Sequence, residues 1–315
     1  VIIALLTLYL VWQHNHSDSL SHLFSVLFAG LITVAVVYSQ AYMRDDEHAN
    51  RYYFFLFLMA GSLIGVTSAP DFGNFYLFWE LMTWSSYFLV VHERTPQALK
   101  AGRKYFLMCC TGAYIMHFGI LVCHTRFGSF DMSVIASQAT LLTPGFAAVI
   151  GLCFLVGLGV KAGLWPMHGW LPDAHPVAPS SISALMSGIL TKAGVFGLVK
   201  ILFIVLGASL TGQLLNLWSH PAFGLVLTTL GCMTVIYGEV MALREDNLKR
   251  ILAFSTLAQV GEILAMLGLM TSLSLASALL HVMNHAIFKN LLFLAAGGLI
   301  ARAAGKKLSD IAGLG

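Results

Sequence analysis

The 315-residue sequence predicts an all-α, polytopic transmembrane helical bundle, on three observations. Hydrophobic residues make up 58% of the chain and charged residues only 10%. Apolar runs of bilayer length alternate with short polar separators. The basic residues of those separators fall on every second one. A soluble domain needs far more charge to cover its surface, and the mean hydropathy of +0.82 points the same way. In lipid every span satisfies its backbone polar groups internally, so helices are expected throughout.

The opening run "VIIALLTLYLVW" over 1–12 is shorter than the roughly 20 residues a bilayer crossing takes. It lacks the basic lead and cleavage site of a signal peptide. Complete crossings are expected at 23–42, 52–68, 74–91, 104–124, 145–168, 180–206, 221–243, 248–271 and 274–300. The end, "KKLSDIAGLG", reads as an interhelical loop. The sequence is therefore expected to be a fragment of a longer protein, with 1–315 a single transmembrane domain.

Loops after the second, fourth, eighth and tenth segments carry Arg44, Arg51, Arg94, Lys100, Arg103, Lys104, Arg244, Lys249, Arg250, Arg302, Lys306 and Lys307, whereas the opposite loops carry only Arg126. One miscounted helix would scramble that division. The positive-inside rule then predicts a multi-pass protein of the cell membrane, with loops 44–51, 94–104, 244–250 and 302–307 cytoplasmic. The loop "GWLPDAHPVAP" falls on that side too, although it holds no Lys or Arg.

Several function classes drop out. The five cysteines lie in apolar segments without CxxC or Cys/His spacing, so they read as buried small hydrophobes, and no metal or other cofactor is expected. The basic residues form no patch, so no nucleic-acid partner is expected. The lipid bilayer is the one surrounding this composition requires.

Thirteen of the seventeen basic residues lie in loops; Lys161, Lys192, Lys200 and Lys289 lie inside spans, as do Glu80, Glu239 and Glu262. Each charge at bilayer depth costs about 2.5–3.5 kcal/mol or more. Such residues mark an ion or proton path by default. Lys161 sits mid-helix in "CFLVGLGVKAGLWPMHGWLPDAHPVAP", with Gly157, Gly159 and Gly163 around it and Pro166 one turn on. Proline removes a backbone hydrogen bond, so a discontinuous helix is expected near Lys161–Pro166. Broken helices at this depth require protein or a water-filled cavity beside them.

Glu80, in "FWELMTWSSYFLV", reads as a counter-ion to a buried lysine, or as an anchor in an aromatic belt. A carboxylate approaching or leaving a buried amine changes its proton affinity. Lys192 is mid-span among small residues; Lys200 is nearer a span end, where it can snorkel. In "HVMNHAIFKNLLF", His281, His285 and Lys289 recur every fourth residue and form one helix stripe. That favours a proton shuttle over a metal site, since no third ligand follows. Glu262 reads as a relay member or the partner of a nearby lysine, and Glu239 as interfacial. His168, Asp173 and His175 follow the broken helix, where they line an entrance or a surface loop.

"FWELMTWSSYFLV", "KAGLWPMHGWLPDAHPVAPSSISALMSGILTKAGVFGLVK", "DNLKRILAFSTLAQVGE" and "HVMNHAIFKNLLFLAAGG" resemble the proton-translocating, antiporter-like membrane subunits. That family includes complex I antiporter subunits, multi-subunit Na+/H+ antiporters and the large membrane subunit of hydrogenase-4 and formate hydrogenlyase, the type most similar in wording. The resemblance covers about 70–300. It implies a non-catalytic, proton-translocating subunit of an energy-converting oxidoreductase complex, with other membrane and hydrophilic subunits as partners and H+, or Na+, as the moving ion. It also implies proton-transfer roles for Glu80, Lys161, Lys192, His281, His285 and Lys289, and Pro166 in the broken helix. Glu262 has no matching acid in the family pattern, and the family's second broken helix would follow residue 315. The rival readings are a Na+/H+ antiporter subunit and a structural anchor without transport.

Overall fold

Short polar residues set where the helices start. Asp18, Asp71, Thr95, Asp131, Asn247 and Thr271 each precede a helix, and the side chain accepts a first-turn backbone N–H. These caps satisfy donors that have no partner within the helix. In the computed structural model, which describes residues 2–13, 18–207, 216–217, 220–303 and 305–313, the caps open a chain of antiparallel helices.

The order is α1 (Ile2–Gln13), α2 (Ser19–Tyr42), α3 (Ala49–Ser68), α4 (Phe72–Val90), α5 (Pro96–Phe127), a short α6 (Met132–Gln138) and α7 (Pro144–Ala162). A four-residue helix α8 (Leu171–Ala174), α9 (Ser180–Val205), α10 (Ala222–Ala242), α11 (Leu248–Gly268), α12 (Ser272–Arg302) and a final turn α13 (Leu308–Ile311) follow. Asn216–Leu217 and His220–Pro221 pair as a minimal antiparallel ribbon.

Eight of the described helices are long and apolar enough to cross a membrane: α2, α3, α5, α7, α9, α10, α11 and α12. The ninth expected crossing is present as α4, of 19 residues, whose Asn74, Glu80, Thr83, Ser85 and Ser86 dilute its apolarity. The expected bounds are otherwise close, except that α5 and α12 extend to 32 and 31 residues and α7 ends at Ala162, short of the expected 168. The short helix α6, between the fourth and fifth crossings, has no counterpart in the expected spans.

Loop contacts give the alternation of sides. On the end rich in Lys and Arg, His92 meets Asp46 at 3.0 Å, Lys104 meets Asp173 at 2.7 Å and Lys307 meets Asp246 at 3.2 Å. Lys306 donates to the Pro176 carbonyl at 3.0 Å, which seats the "GWLPDAHPVAP" loop on that same end. At the other end, Phe72 N–H donates to Phe130 O at 2.9 Å and Met132 N–H to Pro70 O at 3.3 Å. Loops expected on one side do meet one another.

Helix α10 approaches α11 through three glycines spaced seven residues apart, Gly224, Gly231 and Gly238. A Cβ on Gly231 would lie 2.5 Å from Ala265 N and 2.8 Å from Gly261 O. Small residues at such a seam let backbones touch, which is how helices associate where lipid removes the hydrophobic drive. Gly231→Leu is expected to force α10 from α11, costing about 1–3 kcal/mol or more; thermal denaturation of the solubilised protein measures it.

Candidate functional site

The first half of the site is the end of α7. Its last turn closes at Gly163, in the left-handed region with φ 87, where glycine carries no Cβ penalty. Gly163 and Leu164 N–H both reach the Gly159 carbonyl at 2.9 Å. The break thus comes three residues before Pro166, which lies in the turn toward α8, and the glycine rather than the proline ends the helix. The Val160 carbonyl, which Gly163 N–H also reaches at 3.2 Å, accepts the Trp170 indole N–H at 2.7 Å. Trp165 N–H donates to the Thr234 hydroxyl of α10 at 3.0 Å. The expected polar lining is therefore largely protein, folded back on the break.

Lys161, in that last turn, is 1% exposed. Its ammonium donates to the Thr83 hydroxyl on α4 and the Tyr105 hydroxyl on α5, each at 3.0 Å. Tyr105 in turn shares a 2.6 Å hydrogen bond with Ser86, and the Lys161 Nζ stands 5.0 Å from the Tyr105 ring centre. Hydrogen bonds to a charged group contribute about 1.5–3 kcal/mol each. The effective penalty for burying an ion is several kcal/mol. Two neutral hydroxyls therefore leave this cation incompletely compensated.

Glu80 lies three residues before Thr83 on α4, half-buried, and its Oε1 is buried with no hydrogen-bond partner. No ion pair joins it to Lys161 among the described residues; Thr83 occupies the lysine's near side. The carboxylate shares its neighbourhood with Tyr76 and His117, whose ring centres lie 4.5 Å apart at a tilt of 35°.

The second half gathers α9, α11 and α12. Helix α9 winds as π-helix over Met186–Leu190 and Leu198–Val205, a form often found at functional positions. The Ser187 carbonyl in the first of these turns accepts the fully buried Lys192 ammonium at 2.7 Å and the Thr191 hydroxyl at 2.9 Å. Ser187 Oγ bonds Thr256 Oγ of α11 at 2.7 Å. Thr256 donates to Leu252 O at 2.8 Å, and the buried Lys289 ammonium of α12 donates to that same carbonyl at 3.3 Å. A continuous polar ladder thus joins Lys192 to Lys289.

His285, fully buried, lies on the α12 stripe with both ring nitrogens unpartnered, parallel to His281 at 6.1 Å. His281 Nε2 is 3.3 Å from Glu262 Oε2, close enough to pair but poorly aligned for a hydrogen bond. Gln259 donates to the other Glu262 oxygen at 2.9 Å. Lys200 leaves this set: it pairs with Asp18 at the start of α2, as a snorkelling lysine near a helix end does.

Several participants escaped the sequence reading. Thr83, Tyr105, Ser187 and Thr256 are ordinary membrane-helix hydroxyls until the lysines are placed beside them. Lys249, counted among the loop bases, is 3% exposed and donates to Ala178 O at 2.8 Å. His175 is fully buried and stacks on Phe293 at 4.6 Å. Burial, then the charges of Lys249, Lys289 and Lys192, push its imidazole down to about 3, so the ring is neutral at ordinary pH. Among the described residues no cluster of His, Cys, Asp and Glu has the spacing of a metal site.

Tyr105→Phe is expected to remove one of the two Lys161 acceptors and the Ser86 partner. It should lower stability by about 1.5–3 kcal/mol, read as a fall in thermal midpoint, whereas Thr125→Val, on an exposed hydroxyl, leaves it unchanged.

Comparison with known proteins places this arrangement. The sequence profile described as "NADH:quinone oxidoreductase/Mrp antiporter, TM" matches residues 69–315. The chain is 38% identical over 299 residues to hydrogenase-4 component B of Escherichia coli, covering 90% of this chain and 43% of that protein. It is 32% identical over 293 residues to NADH-quinone oxidoreductase subunit N of Desulforudis audaxviator, covering 92% and 56%. Its fold is similar to a chain of the Mrp complex from Dietzia sp., with TM-score 0.86, 26% identity, and 98% and 35% coverage. The chain spans about half the length of the curated relatives it matches.

Proposed function

Because this chain belongs to the NADH:quinone oxidoreductase/Mrp antiporter transmembrane family, we propose that it is a proton-translocating membrane subunit of an energy-converting oxidoreductase complex of the hydrogenase-4, formate hydrogenlyase or complex I type. The observation that carries this reading is Lys161: a fully buried ammonium at a helix break, held by neutral hydroxyls, one of them on Thr83, which lies one helical turn along α4 from Glu80 and its unpaired carboxylate oxygen. A cation so placed has oxygen partners but no counter-charge. A carboxylate moved closer tightens its hold on its proton, and one moved away loosens it.

In this reading Glu80 modulates Lys161, and the proton passes along the axis of Lys192, His285, His281 and Lys289. Glu262 stands within ion-pair distance of His281. The ladder through Ser187 and Thr256 keeps Lys192 and Lys289 in one polar network. The ladder's carbonyls, Ser187 O and Leu252 O, accept but do not donate, so the ladder positions the two lysines and the proton itself moves between the titratable side chains. The work required is about 2.3 kcal/mol per charge for each 100 mV, supplied by chemistry in partner subunits. The chain itself carries none of the residue patterns of a redox centre. The basic loops face the cytoplasm, and the partners are other membrane and hydrophilic subunits.

The likeness to the Mrp chain favours a second reading, a Na+/H+ antiporter subunit. Proton movement that requires Na+ on the opposite side would establish it in place of the first.

Lys161→Met in the intact, liposome-reconstituted complex is expected to cut proton translocation per turnover at least tenfold while leaving assembly intact. Translocation at the unsubstituted level would overturn the reading and leave a structural anchor.

A further inference from the structure

At the basic-loop end, a cavity of about 480 Å³ opens between Tyr42, Glu93, Thr95, Pro176, Lys306 and Lys249. Lys306 and Lys249 hold its wall from opposite directions, donating to Pro176 O at 3.0 Å and Ala178 O at 2.8 Å. Lys249 is the inner of the two, 3% exposed, on the first turn of α11. His175 precedes Pro176 of that wall in sequence and lies behind it, fully buried with neither ring nitrogen hydrogen-bonded. Lys249 of α11, Lys289 of α12 and Lys192 of α9 are the charged groups that act on that ring. Lys306 and Glu93 are those that act on Lys249.

A neutral imidazole with two free nitrogens stands between a solvent-end lysine and the two lysines of the axis. Packing alone asks for no imidazole here: a phenyl ring would stack on Phe293 equally well and leave no unpaired polar atoms in the core.

We propose that this cavity is the proton inlet from the basic-loop end, with Lys249 as its collecting base and His175 as the carrier to Lys289. The inlet rests on the proton-translocating reading above and extends it by two residues. The neutral Lys249 amine takes a proton from the cavity and gives it to one ring nitrogen of His175. The other nitrogen releases its own proton to the neutral Lys289 amine, so no charge remains on the ring. The ring is left as its second tautomer, and a half-turn about Cβ–Cγ, which preserves the stack on Phe293, turns its N–H toward Lys289 and its bare nitrogen toward Lys249 for the next proton.

Two substitutions separate conduction from support. His175→Phe keeps the stacked ring and removes both nitrogens. Lys249→Arg keeps a cation that can donate to Ala178 O but does not release its proton. In the tagged, reconstituted complex, with uptake from the basic-loop side followed by a pH-sensitive dye during turnover, each variant is expected to lower uptake at least fivefold. Assembled complex recovered from the membrane should stay constant. A structural role for Lys249 predicts instead that Lys249→Arg matches the unsubstituted protein and only Lys249→Met fails. Normal uptake in both His175→Phe and Lys249→Arg, with loss in Lys161→Met, overturns the inlet and leaves the translocation reading standing. Normal uptake in Lys161→Met as well overturns both. If His175→Phe does not assemble, His175→Leu with Lys249→Arg decides, and normal uptake in Lys249→Arg alone overturns the inlet.

Discussion

An ammonium buried in a membrane protein cannot be left without oxygen atoms around it. That constraint organises the structure. Lys161 takes hydroxyls from α4 and α5, Lys192 takes the Ser187 carbonyl of a widened helical turn, Lys289 takes Leu252 O and Lys249 takes Ala178 O. None of these four ammonium groups has a carboxylate within ion-pair distance among the described residues. Carbonyls and hydroxyls give each cation oxygen partners without a counter-charge. A fully paired buried ion would be more settled, and less able to trade protons.

The two halves of the site are joined by close helix contact more than by side chains. A Cβ on Gly194 would lie 2.6 Å from Ala162 N and 2.7 Å from Leu158 O, and one on Gly197 would meet Leu158 Cδ2 at 2.5 Å. Glycine on α9 therefore lets the helix bearing Lys192 lie directly on the turn that carries Lys161. Larger residues would separate the helices and lengthen the gap a proton crosses. Tight packing of small residues, a general device of membrane helices, here also sets the spacing of titratable groups.

Much of this was legible in the sequence, for reasons of scale. Apolar runs of bilayer length and alternating loop charge are long-range patterns that tolerate local error, so nine crossings and their sidedness emerged. Lys161, Lys192 and Lys289 stood out because a charge in an apolar run is costly. What stayed hidden depends on a residue or two. The break at Gly163 turns on one left-handed residue, and Pro166 drew attention away from it. The π turns of α9 have no periodic signal. Lys249 follows "REDN" and reads as one more loop base, although the first turn of α11 points it inward. Tyr105 and Thr83 acquire meaning only when α4, α5 and α7 meet.

The backbone bridge between Asn247 and Lys307 carries a mechanical consequence. Leu248 N–H donates to Lys306 O at 3.0 Å and Leu308 N–H to Asp246 O at 2.9 Å, riveting the chain that leaves α12 to the residues that begin α11. The helix with His285 and Lys289 is thus coupled at its foot to the helix with Lys249 and Thr256. A tilt of either drags the other, so the two behave as one lever whose pivot lies at the basic rim of the bundle.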